Sequence, residues 1–312
     1  MKKFAYIAMI ILLGVLIVNN SLTDQYLVKL KGDSVLTSKK ADPLYEEISL
    51  KAKEYEKPPI DAKIDRVWKT IPGINGLKVD IDASYKKMKK AGEFNQEKLV
   101  FTEVKPSVHL ANLPPSPIYK GNPEKQMVSL IINVAWGNEY LSPMLATLKK
   151  NHVHATFFLE GRWVKNNPEL AKMIVAAGHE VGNHSYTHPD MKRLSGPMIR
   201  QEISKTNEVI KATTGKVPTL LAPPSGSMRD EVVSIAAESD LRTIMWSVDT
   251  IDWQKPTPEV LIQRVVSKVH PGAIVLMHPT ASTEKALDQL IKELKGKNFE
   301  LDTVSELISE ER

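Results

Sequence analysis

A chain of 312 residues, 42% of them hydrophobic and 25% charged, has the composition of a globular protein and is long enough for one large domain and a smaller one. It contains no cysteine, which excludes disulfides and thiolate metal sites. The formal net charge of +5 comes without an arginine-rich cluster, so nothing supports a nucleic-acid partner; the balance suits an anionic cell surface, or simply a solvated face with a slight lysine excess.

The chain starts with Lys2-Lys3, an apolar run from Phe4 to Val18 and then Asn19-Asn20-Ser21. A positive start before an apolar segment of this length reads as an export signal or a membrane anchor over residues 1–22, and places the rest outside the cytoplasm. Residues 23–59 are polar and lysine-rich and read as a stalk, with one helix from Asp42 to Tyr55 that carries Pro43 in its first turn and stops at Lys57-Pro58-Pro59. Residues 60–113 read as a small α+β domain. It has a helix over Ala62–Lys69, a strand over Leu77–Ile81, a helix over Ala83–Ala91 and a strand over Leu99–Glu103. Leu113-Pro-Pro-Ser-Pro117 opens a stiff linker over residues 114–125 and is the expected domain boundary.

From residue 126 to 312 apolar strand-like runs alternate with amphipathic helical segments. Strands are expected at Met127–Val134, Ala155–Leu159, His179–Gly182, Thr219–Leu221, Thr243–Ser247 and Ala273–Met277. The helices between and after them are Tyr140–Lys150, Pro168–Ala177, Pro197–Thr213, Glu231–Ser239, Glu259–Val269 and Thr283–Leu294. This alternation predicts an α/β fold with a parallel sheet, open or closed into a barrel. There is no Gly-x-Gly-x-x-Gly after the first strand and no Walker motif, so nucleotide binding has no support.

Polar residues collect where these strands end. The third leads from Gly178-His-Glu-Val-Gly-Asn183 into His184-Ser-Tyr-Thr-His188, two imidazoles that a helical turn or a tight loop can bring to one cation. The fourth leads to Ala222-Pro-Pro-Ser-Gly226, the fifth to Asp249-Thr-Ile-Asp252-Trp253 and the sixth to His278-Pro279. Taken singly, a proline pair is commonly a turn and a lone histidine a core residue. Their convergence on the carboxyl rim of a parallel barrel, where such folds place their chemistry, makes them a candidate site.

The order and spacing of these motifs resemble the polysaccharide deacetylases, the family 4 carbohydrate esterases that include chitin and peptidoglycan N-deacetylases. The resemblance covers residues 126–312. It implies a distorted (β/α) TIM-like barrel and a divalent metal, usually zinc, held by one Asp and two His. It also implies hydrolysis of the N-acetyl group of a glucosamine-type cell-wall glycan, and its members' habits favour a Gram-positive envelope. By this resemblance His184 and His188 are the metal pair, and Pro223, Pro224 and Gly226 belong to the groove wall. Asp249 tunes the catalytic histidine, Trp253 and Leu276 line the acetyl pocket, and His278 is the general acid that protonates the leaving amine.

The departures from the family pattern are specific. Its first motif is Thr-Phe-Asp-Asp-Gly-Pro, whereas this chain has Asn133-Val-Ala-Trp-Gly-Asn138. Aligned on Gly137, Ala135 takes the place of the general base and Trp136 that of the metal-binding Asp; Ala222 stands where the family has the Arg that orients the base. General base catalysis contributes about 10²–10⁴-fold, and alanine accepts no proton. Two neutral imidazoles also hold zinc more weakly than two imidazoles and a carboxylate. Glu139 is a possible substitute ligand; Trp136 either stacks on a sugar face or plugs the space the metal vacates. The expectation is a cell-wall N-deacetylase of weak activity or, alternatively, a deacetylase-like glycan-binding protein without catalysis.

Overall fold

The computed structural model describes residues 42–312, so the expected export signal or anchor and most of the expected stalk lie outside the described residues. Among those described, no helix is long and apolar enough to cross a membrane.

The described chain divides into two compact units. The first joins residues 42–58 to Leu77–Val104. Its helix Pro43–Tyr55 starts where the Asp42 carboxylate accepts the Leu44 N–H at 2.9 Å. Leu44, Ile48 and Ala52 recur at helical spacing and pack on Val79, Tyr85, Met88 and Leu99. The helix expected in a stalk is therefore part of a small core. A two-stranded sheet, Gly76–Val79 with Phe101–Val104, and the helix Ile81–Met88 complete this unit.

The second unit takes Pro59–Gly76 and Lys105–Arg312, so the division does not fall at the proline-rich stretch. Pro117 is tied into this unit, its carbonyl accepting the Thr70 N–H at 3.1 Å. The helix expected over Ala62–Lys69 is instead an antiparallel hairpin, Lys63–Asp65 with Lys69–Ile71. Asp65 Oδ1 accepts from both Val67 N and Trp68 N at 2.8 Å, and Lys69 has φ 59°; this local side-chain turn outcompetes the helical hydrogen bonds.

The large sheet has eight strands, all of whose pairings are parallel: β1 (Met127–Val134), β2 (Thr156–Leu159), β3 (Glu180–Asn183), β4 (Leu220–Leu221), β5 (Arg242–Thr243), β6 (Val248–Asp249), β7 (Ile274–Met277) and β8 (Glu300–Leu301). The spatial order is β6-β7-β1-β2-β3-β4-β5, with β8 also pairing with β1. The helices are α1 (Asn138–Lys150), α2 (Gly161–Asn166), α3 (Pro168–Ala176), α4 (Gly196–Thr214), α5 (Asp230–Glu238), α6 (Pro258–Val266), α7 (Ala281–Gly296) and α8 (Val304–Ile308). This is the expected distorted (β/α) barrel. Every residue of β1, β2 and β7 is buried, as a parallel sheet covered on both faces requires.

Within the barrel two further features depart from expectation. The strand expected over Thr243–Ser247 is two separate short strands, β5 and β6, on opposite ends of the strand order. The chain leaves β5 at Ile244, whose N–H still bonds Leu221 O, and rejoins the sheet where Ser247 N bonds Ile274 O. Trp246, between them, lines the cavity described below. The short elements α2, β8 and α8 lacked a periodic run long enough to mark them.

Candidate active site

The carboxyl ends of β1, β3, β6 and β7 open onto one cavity of about 450 Å³. It is lined by Asn133, Ala135, Trp136, His184, His188, Ser225, Trp246, Asp249, Trp253, Leu276 and His278. Eight of the residues singled out in the sequence thus share one site. Pro223, Pro224 and Ala222 are buried behind it, and Gly226 follows the lining residue Ser225.

Each side chain is held by its backbone. After β3 the chain turns through Ser185 (φ 61°) and His188 (φ 57°), so the two histidines meet across a tight loop and not along a helix. Their ring centroids lie 5.0 Å apart, edge to face. Glu202 of α4 holds the loop: one carboxylate oxygen accepts the N–H groups of Tyr186 and Thr187, both at 2.7 Å, and the other accepts the Thr187 hydroxyl at 2.8 Å. Nothing in local sequence marked Glu202, because its role depends on α4 passing beneath the loop.

His184 is buried, and its Nδ1 lies 2.7 Å from Ala222 O. A carbonyl only accepts, so Nδ1 carries the proton and Nε2 keeps its lone pair. Burial, reinforced by the neighbouring His188, pushes the His184 pKa down to about 3. His179, buried at the start of β3's approach, is pushed down to about 4 by burial and then by His154. Both rings are neutral in the fold but take up a proton on unfolding below about pH 6.5. The unfolded chain therefore binds more protons, and stability falls as pH drops from 6.5 toward 4. The expected slope is about 1.4 kcal/mol per pH unit from each histidine in metal-free protein. Urea unfolding between pH 7 and 4.5 measures it. His179→Gln is expected to remove about half of the slope; an unchanged slope would refute the assignment.

His278, at the end of β7, is oriented by Asp252 and not by Asp249. Asp252 is fully buried; its Oδ1 lies 2.8 Å from His278 Nδ1 and its Oδ2 accepts the His278 backbone N–H at 2.6 Å. The Thr283 hydroxyl of α7 donates to the same Oδ2 at 2.7 Å. Asp249 lines the cavity and accepts the Ile251 N–H at 2.7 Å. Ile251 (φ 51°) and Lys255 (φ 54°) bracket the one-turn helix Asp252–Gln254, and this turn carries Asp252 inward while leaving Trp253 exposed. Both carboxylates lie in one short motif, and spacing alone does not say which turns inward.

Gly137 has φ 82°, and a Cβ there would lie 2.1 Å from Pro279 O, so only glycine lets the loop after β1 approach the residue after His278. That approach sets the Trp136 indole parallel to the His278 ring, with centroids 6.0 Å apart and planes within 9°. Trp136 remains 49% exposed, so it is a wall of the groove and not a buried plug. Glu139 lines an adjoining cavity with Glu160 and Arg162 and does not line the one holding His184.

Catalytic zinc sites carry three protein ligands and an open position. Here three imidazoles, His184, His188 and His278, line the cavity, yet among the described residues no group of three or more His, Asp or Glu is placed to hold a metal ion. The residues present do not fit the metal centre that the family resemblance implies.

The fold is a parallel (β/α) barrel whose carboxyl rim carries a histidine pair and a His278 paired with the buried Asp252. Residues 120–244 match the family model described as polysaccharide deacetylase. The chain is 57% identical over 287 residues, 92% of its length and 90% of the relative's, to the uncharacterized protein YlxY of Bacillus subtilis. It is 32% identical over 62% of its length, and 75% of the relative's, to the peptidoglycan-N-acetylmuramic acid deacetylase PdaA of Bacillus subtilis. Among solved structures it resembles BA3943 of Bacillus anthracis, described as a family 4 carbohydrate esterase pseudoenzyme, with 59% identity, a TM-score of 0.84 and coverage of 86% of this chain and 96% of that one. The chain belongs to the polysaccharide deacetylase family, the family 4 carbohydrate esterases. That family is generally metal-dependent, and the peptidoglycan deacetylases among its relatives come from Gram-positive bacteria.

Proposed function

We propose that this chain is an extracytoplasmic member of the family that holds N-acetylglucosamine-type cell-wall glycan in its groove, with catalysis silent or very weak and without resident zinc. The observation that carries the reading is the end of β1. The positions of base and metal carboxylate hold Ala135 and an indole stacked on His278. No proton acceptor stands at the first and no ligand at the second, while Trp136 and Trp253, both largely exposed, flank the groove as platforms for a sugar face. The charged start and apolar run at residues 1–18 support export, with retention at the membrane as the finer proposal. The Bacillus anthracis relative is described as a pseudoenzyme, and one of its mutants as having restored enzymatic activity. Retention of His184, His188 and the His278–Asp252 pair favours, as second reading, a weak N-deacetylase.

Calorimetric titration with tetra-N-acetylchitotetraose in the presence of EDTA, beside an acetate-release assay with zinc supplied, separates the two. The expected result is binding unaffected by EDTA, with acetate at the buffer blank. Trp136→Ala is expected to weaken binding about 3- to 10-fold, the worth of one aromatic stack. Binding lost with EDTA, or steady acetate release, would favour the enzyme. No affinity for acetylated chitooligosaccharide or peptidoglycan fragments would overturn the glycan-binding reading.

A further inference from the structure

The hairpin Lys63–Asp65 with Lys69–Ile71 contributes no residue to the cavity of the candidate site, yet its tip is strongly patterned. Ile64, Val67 and Trp68 are 45%, 67% and 37% exposed, and Lys63, Arg66 and Lys69 stand exposed among them. Single exposed apolar residues are ordinary on a protein surface; three within five positions, interleaved with three cations, form a patch. The tip is also built rigidly. Asp65 spends one carboxylate oxygen on the Val67 and Trp68 N–H groups, both at 2.8 Å, which closes the turn. The second strand is fastened to the barrel unit, where the Thr70 N–H donates to Pro117 O at 3.1 Å and its hydroxyl to Ser116 O at 3.2 Å. Trp68 is held from inside: Lys120 Nζ lies 5.3 Å from the centre of its ring and the His270 ring 6.2 Å away. A tip ordered in advance loses little conformational freedom on docking. Lys120 bridges to Ala273, and His270 and Ala273 directly precede β7, so the hairpin stands at the amino end of the barrel, opposite the rim that carries the candidate site.

Resting on the membrane-retention reading, we propose that this hairpin tip is an interfacial docking site for an anionic lipid bilayer. The chemistry of the tip selects that partner. Lys120 takes one face of the Trp68 indole, and the aliphatic Ile64 and Val67 offer a sugar neither hydrogen bonds nor a flat ring. An indole with aliphatic neighbours and a fringe of long cationic side chains suits the membrane–water boundary instead: the apolar groups enter the headgroup–acyl region while the ammonium and guanidinium groups meet lipid phosphates. The length of chain outside the described residues agrees. Between Val18, the end of the apolar run, and Asp42 lie 23 residues. Fully extended, such a segment spans at most about 80 Å, so a chain retained by that run keeps the barrel within reach of the surface. Docking by the amino end of the barrel turns its carboxyl rim away from the bilayer. The groove flanked by Trp136 and Trp253 then faces outward, toward the wall glycan it is proposed to hold.

The chain has no cysteine, so Val67→Cys and Met198→Cys each take a single nitroxide label. Met198, half exposed in the first turn of α4 on the rim side, is the control. The full-length chain is reconstituted with vesicles of phosphatidylcholine alone or of an equimolar mixture with phosphatidylglycerol. Flotation reports retention, and accessibility of the label to oxygen over a water-soluble nickel chelate reports immersion. On the anionic vesicles the label at 67 is expected to be immersed, with an accessibility ratio severalfold above that at 198, which stays in water. Lys63→Gln, Arg66→Gln and Lys69→Gln together should lower the docked-to-free ratio by about 10²-fold, roughly 5-fold per cation. The triple variant should melt like the parent, because all three side chains are exposed. A chain that floats while both labels stay in water overturns the docking and leaves retention standing. So does equal immersion on uncharged vesicles, immersion of both positions alike, or immersion that survives the triple change. A label at 67 that stays in water on vesicles but is immobilised by peptidoglycan sacculi overturns it in favour of the wall. A chain that floats with neither vesicle overturns retention and docking together.

Discussion

Replacing Ala135 and Trp136 together by aspartate is expected to raise acetate release from N-acetylated chitooligosaccharide by at least about 10²-fold over the wild type, with zinc supplied. The two changes return an acceptor at the base position and a carboxylate beside His184 and His188, which converts a two-donor set into the three-donor set that catalytic zinc requires. The parts downstream are already built. His278 is fixed by Asp252, and Thr283 fixes Asp252 in turn. Removing the indole also uncovers the face of His278 against which Trp136 stacks. Full family rates are not expected, because Ala222 is buried in an apolar cluster where the family's base-orienting Arg would stand. Zinc content, measured by mass spectrometry, should rise in parallel toward one per chain. A variant that gains zinc but no acetate release would place the remaining defect at Ala222; a variant that gains neither would mean that the rim has been remodelled beyond the first motif.

Asp252→Ala is expected to cost about 3 kcal/mol or more of folding stability, with Asp249→Ala costing less than about 1 kcal/mol. Asp252 is fully buried and takes hydrogen bonds from the His278 backbone, the His278 ring and the Thr283 hydroxyl. Its loss leaves three polar groups without the acceptor they share at a fully buried position, each at about 1–3 kcal/mol before relaxation. Asp249, partly exposed on the cavity wall, accepts one loop N–H, a bond that water can replace. Urea unfolding of the two variants measures the difference. Equal losses would refute the assignment of Asp252 as the residue that positions His278. In the Ala135→Asp, Trp136→Asp background, Asp252→Ala should also abolish the restored acetate release, whereas Asp249→Ala should lower it to a lesser degree.

Much of the barrel was readable along the chain. β1, β2 and β7 are unbroken apolar runs because both faces of a parallel strand are covered, and α4, α6 and α7 repeat apolar residues at helical spacing because one face packs on the sheet. The site was also readable in its residue types, since Leu276 lies near the carboxyl end of β7 and His184, His188, Trp253 and His278 lie within a few residues of strand ends, so that all arrive at one rim. The hairpin at Lys63–Ile71 was not, because a single side chain, Asp65, diverts a stretch of helical appearance into a turn. The packing of the Pro43–Tyr55 helix was not either, since its partners Val79, Tyr85 and Leu99 lie far along the chain.

By itself the sequence determined the fold class, the membership of the family, and the loss of base and metal carboxylate at Ala135 and Trp136, because these are matters of residue type and order. Only the tertiary structure decided which aspartate serves His278, that Glu202 clamps the histidine loop, and that the Trp136 indole runs parallel to the His278 ring. Each of these depends on the direction a side chain takes after a bend in the backbone. That direction is set by left-handed residues such as Ser185, His188 and Ile251 and by the close passage of Gly137 over Pro279, contacts between segments that no local pattern connects.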